Sequence, residues 1–386
     1  MKKQLTRIAS WMLLATMGQA GAFAQNIRID MSQTYPEKTI SLQKVADVKY
    51  IPLETTDEVL FNGIVTNLSA EGIAGFNKKE GDILVFDGTG KAITSFNHMG
   101  QGPNEYNKIY HLDVDWKQKE VYVQDNFRQK IRIYGLDGRH LRTIDLQETM
   151  QEGDLYSFSD THLIYYAKPK SKPVTPYEPV TLLSKKDASK VTLPFTKTDD
   201  NLVKATGGPF GDMKMSAKNV NLLCKKGDEV YVNEVTADVI YRVESNHALT
   251  PVVERTPSYQ DASGQDFFLM LTGANARYYF FKRQQALLEF QGNAATDTKS
   301  TYVAYDRKEK QLLNPTFTNE DYPSQDIPMS KLLQCAGSAN RCYLQLEAFK
   351  LKEALAEGKL KGTLKSIAEK LDEEDNPVLM VVEFKK

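Results

Sequence analysis

The stretch that decides the fold reads EVYVQ-DNFRQ-KIRIY-GLDG-RHLRTIDL over residues 120–146. Apolar and polar residues alternate over 120–124 and again over 130–134, a pattern typical of strands that present one face to a core. The intervening DNFRQ and the GLDG of residues 135–138 are turn sequences, and a third alternating run follows over 139–146. The stretch therefore predicts an antiparallel unit of three strands joined by two tight turns.

The same unit recurs along the chain, and recurrence at a fixed period indicates a repeat architecture. A second copy opens with the same four letters, EVYV, at residue 229, and an earlier copy contains the turn DGTG at 87–90. A helical segment over 351–371 separates the last two strands. Outside the stretch quoted above, strands are expected at residues 73–76, 83–86, 91–96, 163–167, 180–184, 190–195, 229–232, 239–244, 249–254, 277–281, 301–306, 310–314, 342–347 and 378–384.

Six units of roughly 50–60 residues predict an all-β fold, a six-bladed β-propeller with a short helical insertion near the C-terminus. The strand at 48–53 is expected to join the last blade and close the ring. The alternative is a β-sandwich followed by a small α/β domain. Radial repetition explains the recurrent EVYV unit better, because each blade buries both sheet faces against its neighbours.

The first 24 residues read as a signal peptide. Lys2, Lys3 and Arg7 precede a short apolar run, and small residues at 22 and 24 fit a cleavage site before Gln25. The run is too short to span a bilayer, which takes about 20 residues. The alternative is a buried N-terminal helix. The sequence thus predicts an exported protein, periplasmic or extracellular, with a propeller domain over 25–386 and no transmembrane segment after signal removal.

The balance of charges bears on which class of partner the protein binds. The chain has 49 basic and 50 acidic residues. With this balance the chain has no excess of positive charge to attract the phosphates of a nucleic acid, so a nucleic-acid partner is not expected.

Of the three cysteines, Cys335 and Cys342 are seven residues apart and could form a disulfide in an oxidising compartment. Spacing alone leaves open whether the two Cα atoms approach closely enough for that bond.

The chain also resembles a known family, the six-bladed β-propeller proteins abundant among exported proteins of Bacteroidetes, related in architecture to NHL-repeat and TolB-like propellers. The residues that carry the resemblance are YIPLET at 50–55, GQGPNEY at 100–106, the Asp-Gly turns at Asp87 and Asp137, and DNPV at 375–378. Many members carry a lipoprotein cysteine after the signal, which this chain lacks. The resemblance implies the fold and the compartment, but no settled activity.

The order of strands within a blade predicts where the long loops gather. In a four-stranded meander, the linker to the next blade and the turn between the second and third strands lie at the same end of the ring. GQGPNEY, the turn at 126–129, the insert at 168–179, the segment at 197–215 and the helical insert all fall there. Binding residues often lie on loops held by a rigid scaffold. The alternative is that this end merely tolerates insertions.

Glu105, Tyr106 and Arg128 are the candidate ligand-contacting residues of this end. The alternative for Glu105 is capping of backbone amides, and for Tyr106 it is packing between blades. No catalytic motif, metal-ligand spacing or cofactor-binding loop is recognisable, so neither a catalytic residue nor a metal or cofactor is expected. Asp113, Asp115 and Asp125 could offer carboxylates to a cation.

Three functions remain open. The first is a non-catalytic module that binds a protein, peptide or glycan on the loop-rich end. The second is a glycan-acting hydrolase or lyase, which predicts acids or a histidine with shifted pKa values around the central channel. The third is a scaffold for an envelope assembly, which predicts exposed apolar side chains on blade edges.

Overall fold

A computed structural model shows six antiparallel sheets arranged as the blades of a ring. It describes residues 26–146, 149–168, 176–197, 202–206, 213–216, 222–261, 267–291, 294–295, 299–332 and 341–385. The predicted signal peptide, Cys335 and much of the 168–179 insert lie outside these residues. No helix among the described residues is both long and apolar enough to cross a bilayer.

Short strands make up most of the described chain, and a few short helices join them. The strands are β1 Ile27–Asp30, β2 Glu37–Ser41, β3 Ala46–Pro52, β4 Ile64–Leu68, β5 Gly72–Phe76, β6 Ile83–Asp87, β7 Ala92–Phe96, β8 His111–Asp115, β9 Glu120–Asp125, β10 Lys130–Gly135, β11 His140–Asp145, β12 Thr149–Ser157, β13 His162–Lys168, β14 Val180–Ser184, β15 Lys190–Thr192, β16 Leu202–Thr206, β17 Met213–Ser216, β18 Leu223–Lys226, β19 Glu229–Val232, β20 Val239–Val243, β21 Leu249–Thr256, β22 Phe267–Ala274, β23 Tyr278–Gln285, β24 Leu287–Gln291, β25 Ala294–Ala295, β26 Ser300–Asp306, β27 Gln311–Asn319, β28 Tyr322–Pro328, β29 Arg341–Leu346 and β30 Val378–Phe384. The helices are α1 Leu42–Val45, α2 Met329–Leu332, α3 Ala348–Ala356 and α4 Gly362–Ala368.

The predicted six-bladed propeller is confirmed. The first three blades are the meanders β4–β7, β8–β11 and β12–β15, and the fourth is β18–β21. The fifth contains β22, β23, β26 and β27, and the sixth contains β29, β30 and β3. Each of the first five blades therefore has an inner strand ahead of the three that the repeat pattern predicts.

The ring is closed by strands from both ends of the chain, as predicted. β3 pairs antiparallel with β30 in register from Ala46↔Phe384 to Pro52↔Val378. Tyr343 on β29 donates a hydrogen bond to the carbonyl of Val65 in the first blade, at 2.5 Å. β3 completes the last blade and leads directly into the first blade, so the ring of blades is closed at this point.

Apolar side chains fill the spaces between consecutive blades. Val121, Val123 and Tyr134 of the second blade pack with Phe76 and Val85 of the first, all buried. Tyr122, Ile131 and Ile133 lie on the other face of the second blade and pack with the third. Both faces of these central strands are therefore buried.

Glycine is required where the end of one blade meets a turn of the next. Gly138 has φ +79°, and a Cβ added to it would lie 2.7 Å from the ring of Phe96 at the end of β7. Gly90 has φ +91°, and its Cβ would lie 2.2 Å from the carbonyl oxygen of Pro52 at the end of β3. The two Asp-Gly turns noted in the sequence are thus contact points between blades as well as reversals of the chain.

Candidate functional site

The predicted gathering of connections at one end of the ring is confirmed by contacts between them. The linker before the first blade meets the turn between β5 and β6, where the Asn62 amide donates to Asn77 Oδ1 at 3.1 Å. Arg128, in the turn between β9 and β10, donates to the carbonyl of Gly102 at 3.3 Å. We call this end of the ring the linker face: it comprises the connections between blades and the turn between the second and third strands of each blade.

The long insertions meet on the same face. Tyr177, in the insert of the third blade, exchanges two backbone hydrogen bonds with Lys197 in the following linker. β16 and β17 of that linker form a separate sheet with β24 and β25, which lie between the second and third strands of the fifth blade. The predicted helical insert comprises α3 and α4, and the amide of Lys361 donates to the carbonyl of Asp321 at the end of the fifth blade.

The GQGPNEY loop is held from within by its own glutamate. Glu105 Oε2 accepts the amide of Gly102 at 2.7 Å. A Cβ added to Gly100 would lie 2.1 Å from the same carboxylate oxygen, so a larger residue there would displace the Glu105 carboxylate. Below the loop, Arg132 and Tyr134 donate to the carbonyls of Pro103 and Asn104, at 2.7 and 2.8 Å.

The three candidate residues occupy different depths of the linker face. Tyr106 is fully buried; its hydroxyl donates to the carbonyl of Gly81 at 2.7 Å and accepts the amide of His98 at 2.9 Å. Burial raises the pKa of Tyr106 above its ordinary value. Glu105 and Arg128 are partly buried and lie beside Gly102. The geometry thus gives Tyr106 a packing role and leaves Glu105 and Arg128 within reach of the surface.

Exposed apolar side chains, which the repeat pattern did not indicate, mark this face more clearly. Eight large apolar side chains are exposed among the described residues, and four of them lie in connections of the linker face: Leu60, Met99, Phe127 and Phe349. A fifth, Ile64, is the first residue of β4 and adjoins that face. The other three lie on outer strands of the first three blades: Ile93, Leu141 and Val191. Single exposed apolar residues are ordinary, so the feature that distinguishes this end is the number of them gathered there.

Four of the five lie in a row across the first two blades, which we call the arc: Leu60, Ile64, Met99 and Phe127. Leu60 and Ile64 flank Asn77, whose side chain donates to the carbonyl of Leu60 at 2.9 Å. Met99 lies against the neighbouring Gly81, where an added Cβ would be 3.0 Å from the Met99 sulfur. Phe127, with 72% of its surface exposed, precedes Arg128, which reaches Gly102.

A second cluster of polar groups joins the innermost strands of four consecutive blades. Asp113 on β8 accepts hydrogen bonds from Asn67 Nδ2 on β4 at 2.7 Å and from the amide of Ser157 on β12 at 2.6 Å. Lys225 on β18, two blades away, places its ammonium 3.2 Å from Asp113 Oδ2. We call Asn67, Asp113, Ser157 and Lys225, together with the neighbouring His111, the inner cluster.

Burial shifts the pKa values of the groups around this cluster. Burial alone would raise the pKa of Asp113, but the Lys225 ammonium and the Ser157 amide hold it below its ordinary value. His111 has its pKa lowered to about 4, chiefly by burial. Asp154, whose carboxylate accepts the amides of Leu222 and Leu223, has its pKa raised well above the ordinary value by burial.

The shifted groups are those that the enzyme hypothesis expects, yet each is engaged in contacts between blades. Asp113 receives three donors from three other blades, and Asp154 joins the third blade to the fourth. The other carboxylates proposed for a cation have basic partners: Asp115 lies 2.5 Å from Lys185 Nζ, and Asp125 lies 3.8 Å from Arg132 Nε. This arrangement favours an architectural role over catalysis.

The lowered pKa of His111 predicts a measurable loss of stability in acid. The unfolded side chain titrates near pH 6.5, so protons favour the unfolded chain as the pH falls from about 6.5 to 4. Between pH 6.5 and 4 the free energy of unfolding of a His111→Gln variant should fall by roughly 1–3 kcal/mol less than that of the unchanged protein. The lower end of this range allows for the partial exposure of the His111 side chain. Urea unfolding of both proteins at several pH values measures it. Parallel curves between pH 6.5 and 4 would contradict the assignment.

Comparison with known proteins gives a family and a fold. The model of a family described as a domain of unknown function (DUF4934) matches residues 26–383. A "putative exported protein" of Bacteroides fragilis has a similar crystal structure, with TM-score 0.63 and 15% identity over 93% of this chain and 99% of that one. A member of the DUF4221 family from Bacteroides vulgatus gives TM-score 0.51 and 9% identity over 89% and 98%. No protein with a curated description matches. At these identities the similarity of the solved structures shows the fold.

Proposed function

Since the chain belongs to the DUF4934 family, for which no activity is described, we propose from its surface chemistry that it is an exported, non-catalytic binding module for a protein or peptide. The partner is held on the linker face, over the arc formed by Leu60, Ile64, Met99 and Phe127. Glu105 and Arg128 lie beside this arc and supply charged contacts at its rim.

The observation that carries the proposal is the gathering of five of the eight exposed large apolar side chains on one end of the ring. Aromatic residues, methionine and arginine are enriched at the centres of protein interfaces. Phe127, Met99 and Arg128 are three such residues within one arc. The exposed apolar side chains of this arc match the apolar side chains of a polypeptide, so a polypeptide is the better fit.

Export is supported by the basic and apolar pattern of residues 1–24 and by the similarity of the fold to a "putative exported protein". A hydrolase or lyase is the less favoured function, because the acids and the histidine near the ring axis are used in contacts between blades. Periplasmic and released forms are both compatible with the proposal.

A peptide-display selection on the protein from Gln25 onward, followed by titration of the selected peptides, tests this function. Phe127→Ser is expected to weaken their binding by about tenfold or more, as the loss of a central apolar anchor does. Leu141→Ser, a comparable apolar loss on an outer strand, is the matched control and should leave the affinity unchanged. If oligosaccharides rather than peptides bind, or if Phe127→Ser has no effect, the proposal is wrong.

A further inference from the structure

Two blades of this ring carry an additional outer strand supplied by the N-terminal segment. β1 pairs parallel with β21 of the fourth blade, from Ile27↔Val253 to Asp30↔Thr256. β2 pairs parallel with β27 of the fifth blade, from Glu37↔Asn314 to Ser41↔Thr318. The outer edge of a blade in this protein can therefore be extended by a short parallel strand.

The added strands are held by side chains as well as by backbone pairing. Ile27 and Ile29 alternate along β1 and are buried beside Val253 in one cluster. Ile40 of β2 is buried in another cluster together with Phe317. An extended segment with apolar residues at alternate positions is thus the kind of chain that such an edge accepts.

The first blade presents an edge of the same kind. β7 is the last strand of its sheet, and among the described residues no strand pairs with its outer side. Its sequence, AITSF, contains neither a charge nor a proline, and Ile93 has 51% of its surface exposed. Natural sheets usually protect such edges with charges, prolines, bulges or shortness. β7 has one of these features, an irregular register at Ile93, but β21 has the same irregularity at Val252 and still accepts β1.

The neighbouring edges do carry that protection. β11 of the second blade bears Arg142, which is paired with Glu120, and Asp145, which is paired with Lys130. β15 of the third blade has only three residues and begins with Lys190. The absence of charged residues therefore distinguishes β7 from these two neighbouring edges.

We propose that the β7 edge binds an extended segment of another polypeptide, which adds to the first blade as a fifth, parallel strand. The segment carries apolar side chains at alternate positions, as β1 does, and one of them packs on Ile93. Glu54 Oε2 already accepts the amide of Ala92 at 2.8 Å, so the bound segment pairs with the residues that follow Ala92. This surface lies on the outer rim, apart from the linker face, and does not depend on the function proposed above.

Hydrogen exchange of the protein with a synthetic peptide of residues 26–31 (NIRIDM) tests the proposal. The peptide reproduces β1, and its control has Ile27 and Ile29 replaced by serine. Excess peptide is expected to slow exchange over residues 93–96 by about fivefold or more, and the serine peptide should not. Slowing that falls only on β21, or on no strand, would show that β7 does not accept a strand.

Variants separate the edge from other surfaces. The double change Ile93→Lys and Ser95→Lys places charges on two exposed positions and should abolish the protection, with an unchanged melting temperature. Val191→Lys on β15 is the matched control, and Phe127→Ser on the linker face should retain the protection. If the protein alone protects β7 as its concentration rises, and forms a dimer that the double change abolishes, the edge belongs to a second copy and the proposal fails.

Discussion

Replacing Asp113 with alanine is expected to lower the free energy of unfolding by about 3–5 kcal/mol. It leaves the Lys225 ammonium, with a side chain 14% exposed, the buried Asn67 amide and the part-buried Ser157 N–H without their acceptor. Asp113 is 3% exposed and receives Asn67 Nδ2, the Ser157 amide and the Lys225 ammonium. These donors come from the first, third and fourth blades. Loss of one carboxylate therefore weakens the contact of the second blade with three others, and chemical denaturation measures the effect.

Asp145→Ala is the matched control for that experiment. Asp145 is also paired with a basic residue, Lys130, at 2.8 Å, but 67% of its side chain is exposed. Pairs of that kind contribute less than about 1 kcal/mol. Equal losses for the two variants would mean that the inner cluster does not stabilise the ring in the way its geometry implies.

Replacing Tyr106 with alanine is expected to cost about 3–5 kcal/mol, the usual loss for a fully buried aromatic ring. The ring packs at the contact of the first two blades, 6.0 Å from the ring of Tyr134. Tyr106→Phe keeps the ring and removes only the hydroxyl that joins Gly81 and His98, so its cost should be about 1–2 kcal/mol. The difference between the two variants separates packing from hydrogen bonding.

Phe127→Ala serves as the control for Tyr106. Phe127 lies on the same face and is 72% exposed, so its replacement should change the unfolding free energy by no more than about 0.5 kcal/mol. A large loss at Phe127, or a small one at Tyr106, would contradict the depths that the structure assigns to the two rings.

The middle and outer strands of each blade could be predicted from the sequence because their signals are local. EVYV at 120 and 229 alternates clearly, and the Asp-Gly turns mark reversals. The inner strand β8 could not be predicted in this way, because its polar residues have their partners in other blades. HLDVD at 111–115 carries a histidine and two aspartates whose partners, such as Lys225 and Lys185, are far along the chain.

The linker face could be predicted from the antiparallel order of the four strands in a blade, without any knowledge of side chains. The depth of a side chain within that face could not, since Glu105 and Tyr106 are neighbours in sequence yet only Tyr106 is fully buried. β1 and β2 gave no local signal either. They are four and five residues long and pair parallel with strands more than 200 residues away, which only the folded ring reveals.

The pairing of the N-terminal strands sets an order of events for a chain that emerges N-terminus first. β1, β2 and β3 find their partners at residues 253–256, 314–318 and 378–384. Contacts of such separation close late, after the entropy of a long loop has been lost. Each of these three early strands therefore waits for a partner that emerges more than 200 residues later. The ring stays open until β30 has emerged, because β3 completes the last blade only by pairing with β30.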